Sequence, residues 1–143
     1  MNLPICITKT FSLPVKRVWC AITKLEQMQQ WYFENLPAFT PRVGFETEFK
    51  VKTPERIFPH HWKVTEVVPE QKISYEWTFK GYTGRSVTHW KLSEENNVTT
   101  LQLIAEVIEP HPDDIPEFKR ESGVAGWNYF INERLTQYLT SVD

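Results

Sequence analysis

The strongest constraint on the fold is a period of two that runs from Gly44 to Val107, where apolar and polar residues alternate. The clearest segment is Ile73–Phe79, in which every second residue is large and apolar. This alternation is typical of an antiparallel sheet with one face against the core and the other in water. A shorter strand with the same pattern is predicted at Ile5–Phe11. The chain is therefore expected to contain about six or seven antiparallel strands.

Asn96-Asn97 is a candidate two-residue hairpin turn, because asparagine tolerates a positive φ. Such a turn places Trp90 opposite Leu103 and Leu92 opposite Leu101. Opposed residues share a face of the sheet. The turn thus predicts one apolar inner face that contains Trp90, Leu92, Leu101, Leu103, Ala105 and Val107.

A second turn, at Gly81–Arg85, extends this face if Phe79 lies opposite Ser86. Tyr75 then opposes Trp90, and Ile73 opposes Leu92. A third turn, which pairs Pro69 with Lys72, adds the residues Trp62, Val64, Glu66 and Val68. Glu66 suits an apolar face poorly, and a β-bulge that turns Val67 inward would move its carboxylate to the surface. Both placements of Glu66 remain open at this point.

The helices have a different period. After Pro14, a favourable residue at a helix start, apolar residues recur at Val15, Val18, Trp19 and Ile22. A second short helix is predicted at about Leu25–Trp31. A long carboxy-terminal helix is predicted at about Glu117–Leu139, and its apolar stripe consists of Val124, Trp127, Ile131, Leu135 and Tyr138. This stripe must lie against the apolar face of the sheet.

The order of these elements resembles the helix-grip, START-like (SRPBCC) fold, an α+β fold in which a curved antiparallel sheet wraps around a long carboxy-terminal helix. The chain also resembles the family named after the activator of the heat-shock-protein-90 ATPase. That resemblance is carried, in order, by Pro14-Val15-Lys16-Arg17-Val18-Trp19, Trp31, Gly44, Val64-Thr65-Glu66-Val67-Val68-Pro69, Ile73-Ser74-Tyr75-Glu76-Trp77, Ser86-Val87-Thr88, Thr99-Thr100-Leu101-Gln102-Leu103, and Gly126-Trp127 with Leu135 and Tyr138-Leu139. It implies a single domain over residues 1–143 and, in many relatives, an apolar cavity between sheet and helix. It implies no shared catalytic residue.

Aromatic residues make up 14% of the chain, and rings of this size either line a cavity or fill it. Gly123 and Gly126 lie in the predicted long helix, where glycine is costly, so they indicate a close approach, a bend or room for a ligand. The predicted cavity is lined by Trp31, Phe49, Trp62, Val64, Glu66, Tyr75, Trp77, Trp90, Leu103, Ala105, Trp127 and Ile131. Tyr75 or Glu66 is expected to orient a polar group of the ligand.

The composition excludes several function classes. A net charge of −2 disfavours nucleic-acid binding, and no apolar run is long enough for a membrane span. The histidines His60, His61, His89 and His111 are expected to be solvated residues rather than metal ligands, and no cofactor is predicted. Two cysteines without ligand spacing favour a reducing cytoplasm. No signal peptide is recognised. The expected state is a monomer or a weak dimer.

Three functions follow as hypotheses. The leading one is non-catalytic binding of a small hydrophobic or amphipathic molecule between sheet and helix. The alternative, carried by the resemblance, is a chaperone accessory protein that regulates a heat-shock ATPase through protein contacts. The third is an enzyme, although no nucleophile–base signature or glycine-rich phosphate loop is recognised.

Overall fold

Six antiparallel strands form one curved sheet in the order β1–β6–β5–β4–β3–β2, in a computed structural model that describes residues 3–141. The strands are β1 Ile5–Phe11, β2 Glu46–Lys52, β3 Ile57–Val68, β4 Lys72–Phe79, β5 Arg85–Glu95 and β6 Val98–Glu109. Two short helices follow β1, namely α1 Val15–Thr23 and α2 Leu25–Trp31. A long helix at the carboxy terminus packs on the inner face of the sheet. The predicted helix-grip α+β architecture is confirmed.

The hairpin of β5 and β6 has the predicted register. Trp90 pairs with Leu103 and Leu92 with Leu101. Asn96 and Asn97 have φ values of 53° and 62°, as a two-residue turn matched to the twist of its strands requires. The inner face of this hairpin therefore follows from the turn residues alone.

The predicted register of β4 against β5 is wrong by two residues. Tyr75 pairs with Thr88 rather than Trp90, and Ile73 pairs with Trp90. The connection is longer than predicted, because Trp77 is the last residue of β4 to pair with β5. Beyond it, Phe79 pairs only with His60 of β3. A register shift of two residues leaves every side chain on its predicted face. The residues predicted for the inner face of β4 and β5 are therefore unchanged.

The predicted β-bulge is present in β3. Its register against β4 shifts between Val64 and Glu66. Val67 packs against the core, whereas Val68 is more than one-third exposed. The bulge thus exchanges which of the two valines faces inward.

The carboxy-terminal helix begins later than predicted. Pro116–Phe118 forms a separate 3₁₀ turn, and Lys119 is extended. The helix then runs over residues 120–140, as α3 Arg120–Asn128, a π-helical segment Tyr129–Leu135 and α4 Thr136–Thr140. Its buried residues, at steps of four, are Trp127, Ile131, Leu135 and Leu139. A π turn holds more residues than an α turn, which explains why Leu139 is buried in place of the predicted Tyr138.

Helix α1 is capped from a distant part of the chain. Its N-cap residue, Pro14, makes no side-chain capping bond. Instead, the backbone N–H of Val15 donates to Glu94 Oε1 of β5 at 2.6 Å. The Thr99 hydroxyl donates to the Leu13 carbonyl at 2.7 Å. The β5–β6 hairpin therefore fixes where α1 starts.

Candidate ligand-binding cleft

A cleft of about 900 Å³ lies between the inner face of the sheet and the first turns of the carboxy-terminal helix. This volume is within the range of about 300–1,000 Å³ that is usual for small-molecule sites. Its inner walls are mainly aromatic and small residues. They include Phe33, Phe58, His60, Trp77, Phe79, Thr88, Ala105, Gly126, Trp127 and Phe130.

The cleft is displaced from the cavity that the sequence predicts. Among the predicted residues, Trp77, Ala105 and Trp127 line it. A second group is instead packed in the solid core beside it, namely Trp31, Phe49, Trp62, Val64, Tyr75, Trp90, Leu103 and Ile131. The free volume therefore lies towards the amino-terminal end of the long helix.

Tyr32 explains why the predicted region is solid. Its ring stacks on Trp31 at 4.6 Å between centroids, and its hydroxyl lies 3.0 Å from the Tyr75 hydroxyl. The Trp90 indole N–H donates to that same Tyr75 oxygen at 3.0 Å. Tyr75 is fully buried and its hydroxyl is engaged by Tyr32 and Trp90. It does not line the cleft, and its predicted role in orienting a ligand is not supported by its position.

Glu66 lies outside the cleft altogether. The bulge in β3 places its side chain on the outer face, 49% exposed, with its carboxylate 2.8 Å from Lys72 Nζ. The hydrogen bond from Lys72 is the main cause that lowers the pKa of Glu66. An exposed, ionised carboxylate on the outer face does not line the cleft and cannot transfer a proton to a ligand inside it. The inward placement of Glu66 is therefore wrong.

His60 is the polar cleft residue that the sequence analysis missed. It is 6% exposed, whereas a solvated histidine was expected. Burial lowers its pKa to about 4, so the imidazole is neutral at pH 7. A signal was present in the sequence, because His60 shares the inward parity of β3 with Phe58 and Trp62.

The rim of the cleft carries charged residues, several of which have partners in the protein. Arg56 lies 2.9 Å from Glu117 Oε1, and the Thr53 hydroxyl donates to the same carboxylate at 3.0 Å. The Arg120 guanidinium donates to the backbone carbonyls of Leu3 and Pro4. These pairs place polar groups at the mouth, and the charged residues Asp113, Lys119 and Glu121 also line the cleft.

His111 forms one wall of the cleft mouth. Its Nε2 lies 2.7 Å from the Ser86 hydroxyl, and its Nδ1 donates to the Thr83 carbonyl at 3.2 Å. The ring also stacks on Phe118, with centroids 5.2 Å apart. Gly84 permits this arrangement, since a Cβ there would lie 2.7 Å from the His111 Cα.

Another histidine, His89, lies on the outer face of the sheet. It is hydrogen-bonded to Ser74 Oγ at 2.7 Å and to Glu106 Oε1 at 2.9 Å. Ser74 is only 1% exposed, so a substrate cannot reach its hydroxyl. The grouping resembles a catalytic triad in composition but lacks the accessible nucleophile that such a site needs.

The two helix glycines have different surroundings, which gives a matched prediction. A Cβ on Gly126 would meet no atom within 4 Å, whereas a Cβ on Gly123 would lie 3.0 Å from Ile5 Cδ1. We expect Gly126→Ala to stabilise the fold by about 1 kcal/mol through helix propensity. Gly123→Ala should gain less, because Ile5 must move. Urea unfolding of both variants measures the difference, and a larger gain for Gly123→Ala would contradict it.

Neither a membrane helix nor a metal cluster is found over residues 3–141. No helix in that range combines the length and apolar character needed to cross a bilayer. No three histidine, cysteine, aspartate or glutamate side chains in the range lie close enough together to hold a metal ion.

The fold is shared with many solved structures. Protein CV1439 from Chromobacterium violaceum superposes with a TM-score of 0.81 at 20% identity, over 99% of this chain and 100% of that one. DynU16, a protein in the dynemicin biosynthetic locus, gives 0.76 at 24% identity, over 99% of this chain and 48% of its own. Protein MLL2253 from Mesorhizobium loti gives 0.74 at 23% identity, over 98% and 100%. Identities this low establish the fold alone.

The comparison by sequence is more specific. No curated protein matches the chain significantly. A family model described as "Activator of Hsp90 ATPase homolog 1-like protein" matches residues 12–140, which span both short helices, most of the sheet and the long helix. The chain therefore belongs to the family of Activator of Hsp90 ATPase homolog 1-like proteins.

Proposed function

We propose that this protein binds a small hydrophobic or amphipathic molecule in the cleft between β3–β6 and the amino-terminal half of the long helix, without catalysing a reaction on it. The observation that carries the proposal is the cleft itself, with a volume of about 900 Å³ and walls of aromatic and small residues. Binding free energy would come chiefly from burying apolar ligand surface, at about 25 cal/mol per Å².

Gly126 provides the test of this proposal. It lines the cleft, and no atom lies within 4 Å of the Cβ that a substitution would add. Gly126→Phe places a ring in the cleft at a helical position, while Gly126→Ala adds only a methyl group and serves as the matched control. The probes are laurate, a sterol, a flavonoid and 2-naphthol, each tested by thermal shift and by native mass spectrometry.

We expect at least one probe to raise the Tm of the wild type and of Gly126→Ala by several degrees, because ligand at 100 times its Kd stabilises a fold by about 2.7 kcal/mol. Gly126→Phe should fold normally and should bind that probe at least about tenfold more weakly. The proposal fails if no probe shifts the Tm, or if Gly126→Phe responds as the wild type does.

The family match favours a second candidate, a chaperone accessory that stimulates a heat-shock ATPase through surface contacts. Its only support is the family description over residues 12–140. The ATPase rate of the cognate chaperone, measured with and without the purified protein, discriminates the two. Stimulation that persists in Gly126→Phe would assign the activity to the surface rather than to the cleft. The single-domain organisation, the cytoplasmic location and the monomeric or weakly dimeric state stay predictions.

A further inference from the structure

The chemistry of His60 specifies which ligands the cleft selects. Its Nδ1 lies 3.0 Å from the carbonyl of Phe58 in the same strand. A carbonyl oxygen only accepts hydrogen bonds, so Nδ1 carries the proton and the neutral ring leaves Nε2 as an acceptor. The tautomer is thus fixed by the strand that holds the residue.

Nε2 of His60 has no protein partner within residues 3–141. The indole nitrogens of Trp62 and Trp77 have no hydrogen-bond partner in that range and are inaccessible to solvent, but His60 Nε2 is not among these inaccessible atoms. His60 also lines the cleft. A ligand atom in the cleft can therefore reach the Nε2 lone pair. The Thr88 hydroxyl, on the same wall, also makes no side-chain hydrogen bond among these residues.

Aromatic rings surround His60. Its ring centroid lies 4.8 Å from Phe79, 5.0 Å from Phe49 and 5.3 Å from Trp77. The charged residues that line the cleft lie on β6, at the segment after it and at the start of the long helix, and none belongs to the ring cluster around His60; they are Glu106, Asp113, Glu117, Lys119, Arg120 and Glu121. A group bound beside His60 must consequently be flat, uncharged and able to donate one hydrogen bond, because an unpaired charge would lose its solvation there.

We propose that the cleft selects uncharged hydroxylated aromatic molecules, with the ligand hydroxyl donating to His60 Nε2 and its ring packing among Phe33, Trp77 and Phe79, which line the cleft beside His60. This inference rests on the proposed function and adds the ligand class to it. Aliphatic ligands would fill the same space without using the acceptor. Carboxylates would be disfavoured, because a carboxylate offers only acceptors to an acceptor nitrogen.

The test compares 2-naphthol with 2-methoxynaphthalene, which keeps the rings and the oxygen but has no donor. Dissociation constants are measured by tryptophan fluorescence at pH 7 for the wild type and for His60→Phe. In the wild type we expect 2-naphthol to bind about tenfold more tightly, the worth of one hydrogen bond. In His60→Phe the two affinities should become equal, mainly through weaker binding of 2-naphthol.

A measurement on the wild type keeps the proposal testable even if His60→Phe does not fold. The ¹⁵N resonance of His60 Nε2 should move towards the hydrogen-bonded position when 2-naphthol is added, and should not do so with 2-methoxynaphthalene. Equal binding of both probes by the wild type, or an Nε2 resonance that ignores 2-naphthol, overturns the role of His60 and leaves the binding cleft standing. If neither probe binds, the aromatic ligand class is overturned. The laurate and sterol results then decide whether the cleft binds ligands at all.

Discussion

At pH 11 the protein is expected to be about 3 kcal/mol less stable than at pH 8, because two buried tyrosines resist ionisation. Burial is the main cause that raises the pKa of both Tyr32 and Tyr75, and for Tyr32 the adjacent Tyr75 raises it further. In the unfolded chain both hydroxyls ionise near pH 10. Above that pH the folded state binds more protons than the unfolded state, so stability falls by up to about 1.4 kcal/mol per pH unit for each tyrosine.

Urea unfolding at a series of pH values measures this loss. The double variant Tyr32→Phe/Tyr75→Phe should be less stable at pH 8, since the Trp90 indole N–H loses its acceptor. Between pH 9 and pH 11, however, its stability should change far less than that of the wild type. Tyr129→Phe is the control, because Tyr129 is 45% exposed. A wild-type stability that stays constant up to pH 11 would show that the two hydroxyls are solvated.

Gly84→Ala is expected to destabilise the protein by about 2–3 kcal/mol and to lower the Tm by about 6–10 °C. Gly84 has a φ of +105°, and an added Cβ would lie 2.7 Å from both the His111 Cα and the Pro110 carbonyl oxygen. These are backbone atoms, so the 110–112 segment must move away from β5. That movement should break the hydrogen bond between Ser86 and His111 and open the mouth of the cleft.

Gly81→Ala separates the strain of a positive φ from the steric contact with the 110–112 segment. Gly81 has a comparable φ of +89°, but a Cβ there would meet no atom within 4 Å. Its substitution should cost only the conformational strain, about 1 kcal/mol. Thermal unfolding of both variants checks the prediction, and equal losses would show that the contact with His111 contributes nothing.

Most of the fold was predictable because local signals agreed with each other. The Asn96-Asn97 turn fixed one hairpin, and the poor fit of Glu66 on an apolar face indicated the bulge in β3. The register of β4 against β5 failed because the loop containing Gly81 and Gly84 is longer than a tight turn, and its length could not be read from residue types. The error was harmless to the inner face because the slip was an even number of residues.

The site was less predictable than the fold. Alternation identifies which residues face inward, but it does not say which of them touch one another and which leave space. Tyr32, at the end of α2, is buried in the core and fills the volume that is predicted to be hollow. The cleft opens instead where Gly126 carries no side chain and where Phe79 pairs with β3 alone. The inward position of His60 is readable from the parity that it shares with Phe58 and Trp62 in β3.

The distant cap of α1 has a consequence for the order in which the chain folds. A helix of nine residues is too short to persist alone in water, and its capping group is Glu94, 79 residues further along the chain. Hairpins with tight turns close within about 1–10 μs, so we expect the β5–β6 hairpin to assemble first and to serve as the template on which α1 is completed. During synthesis on a ribosome, the amino-terminal helix would then have to wait until Glu94 has left the exit tunnel.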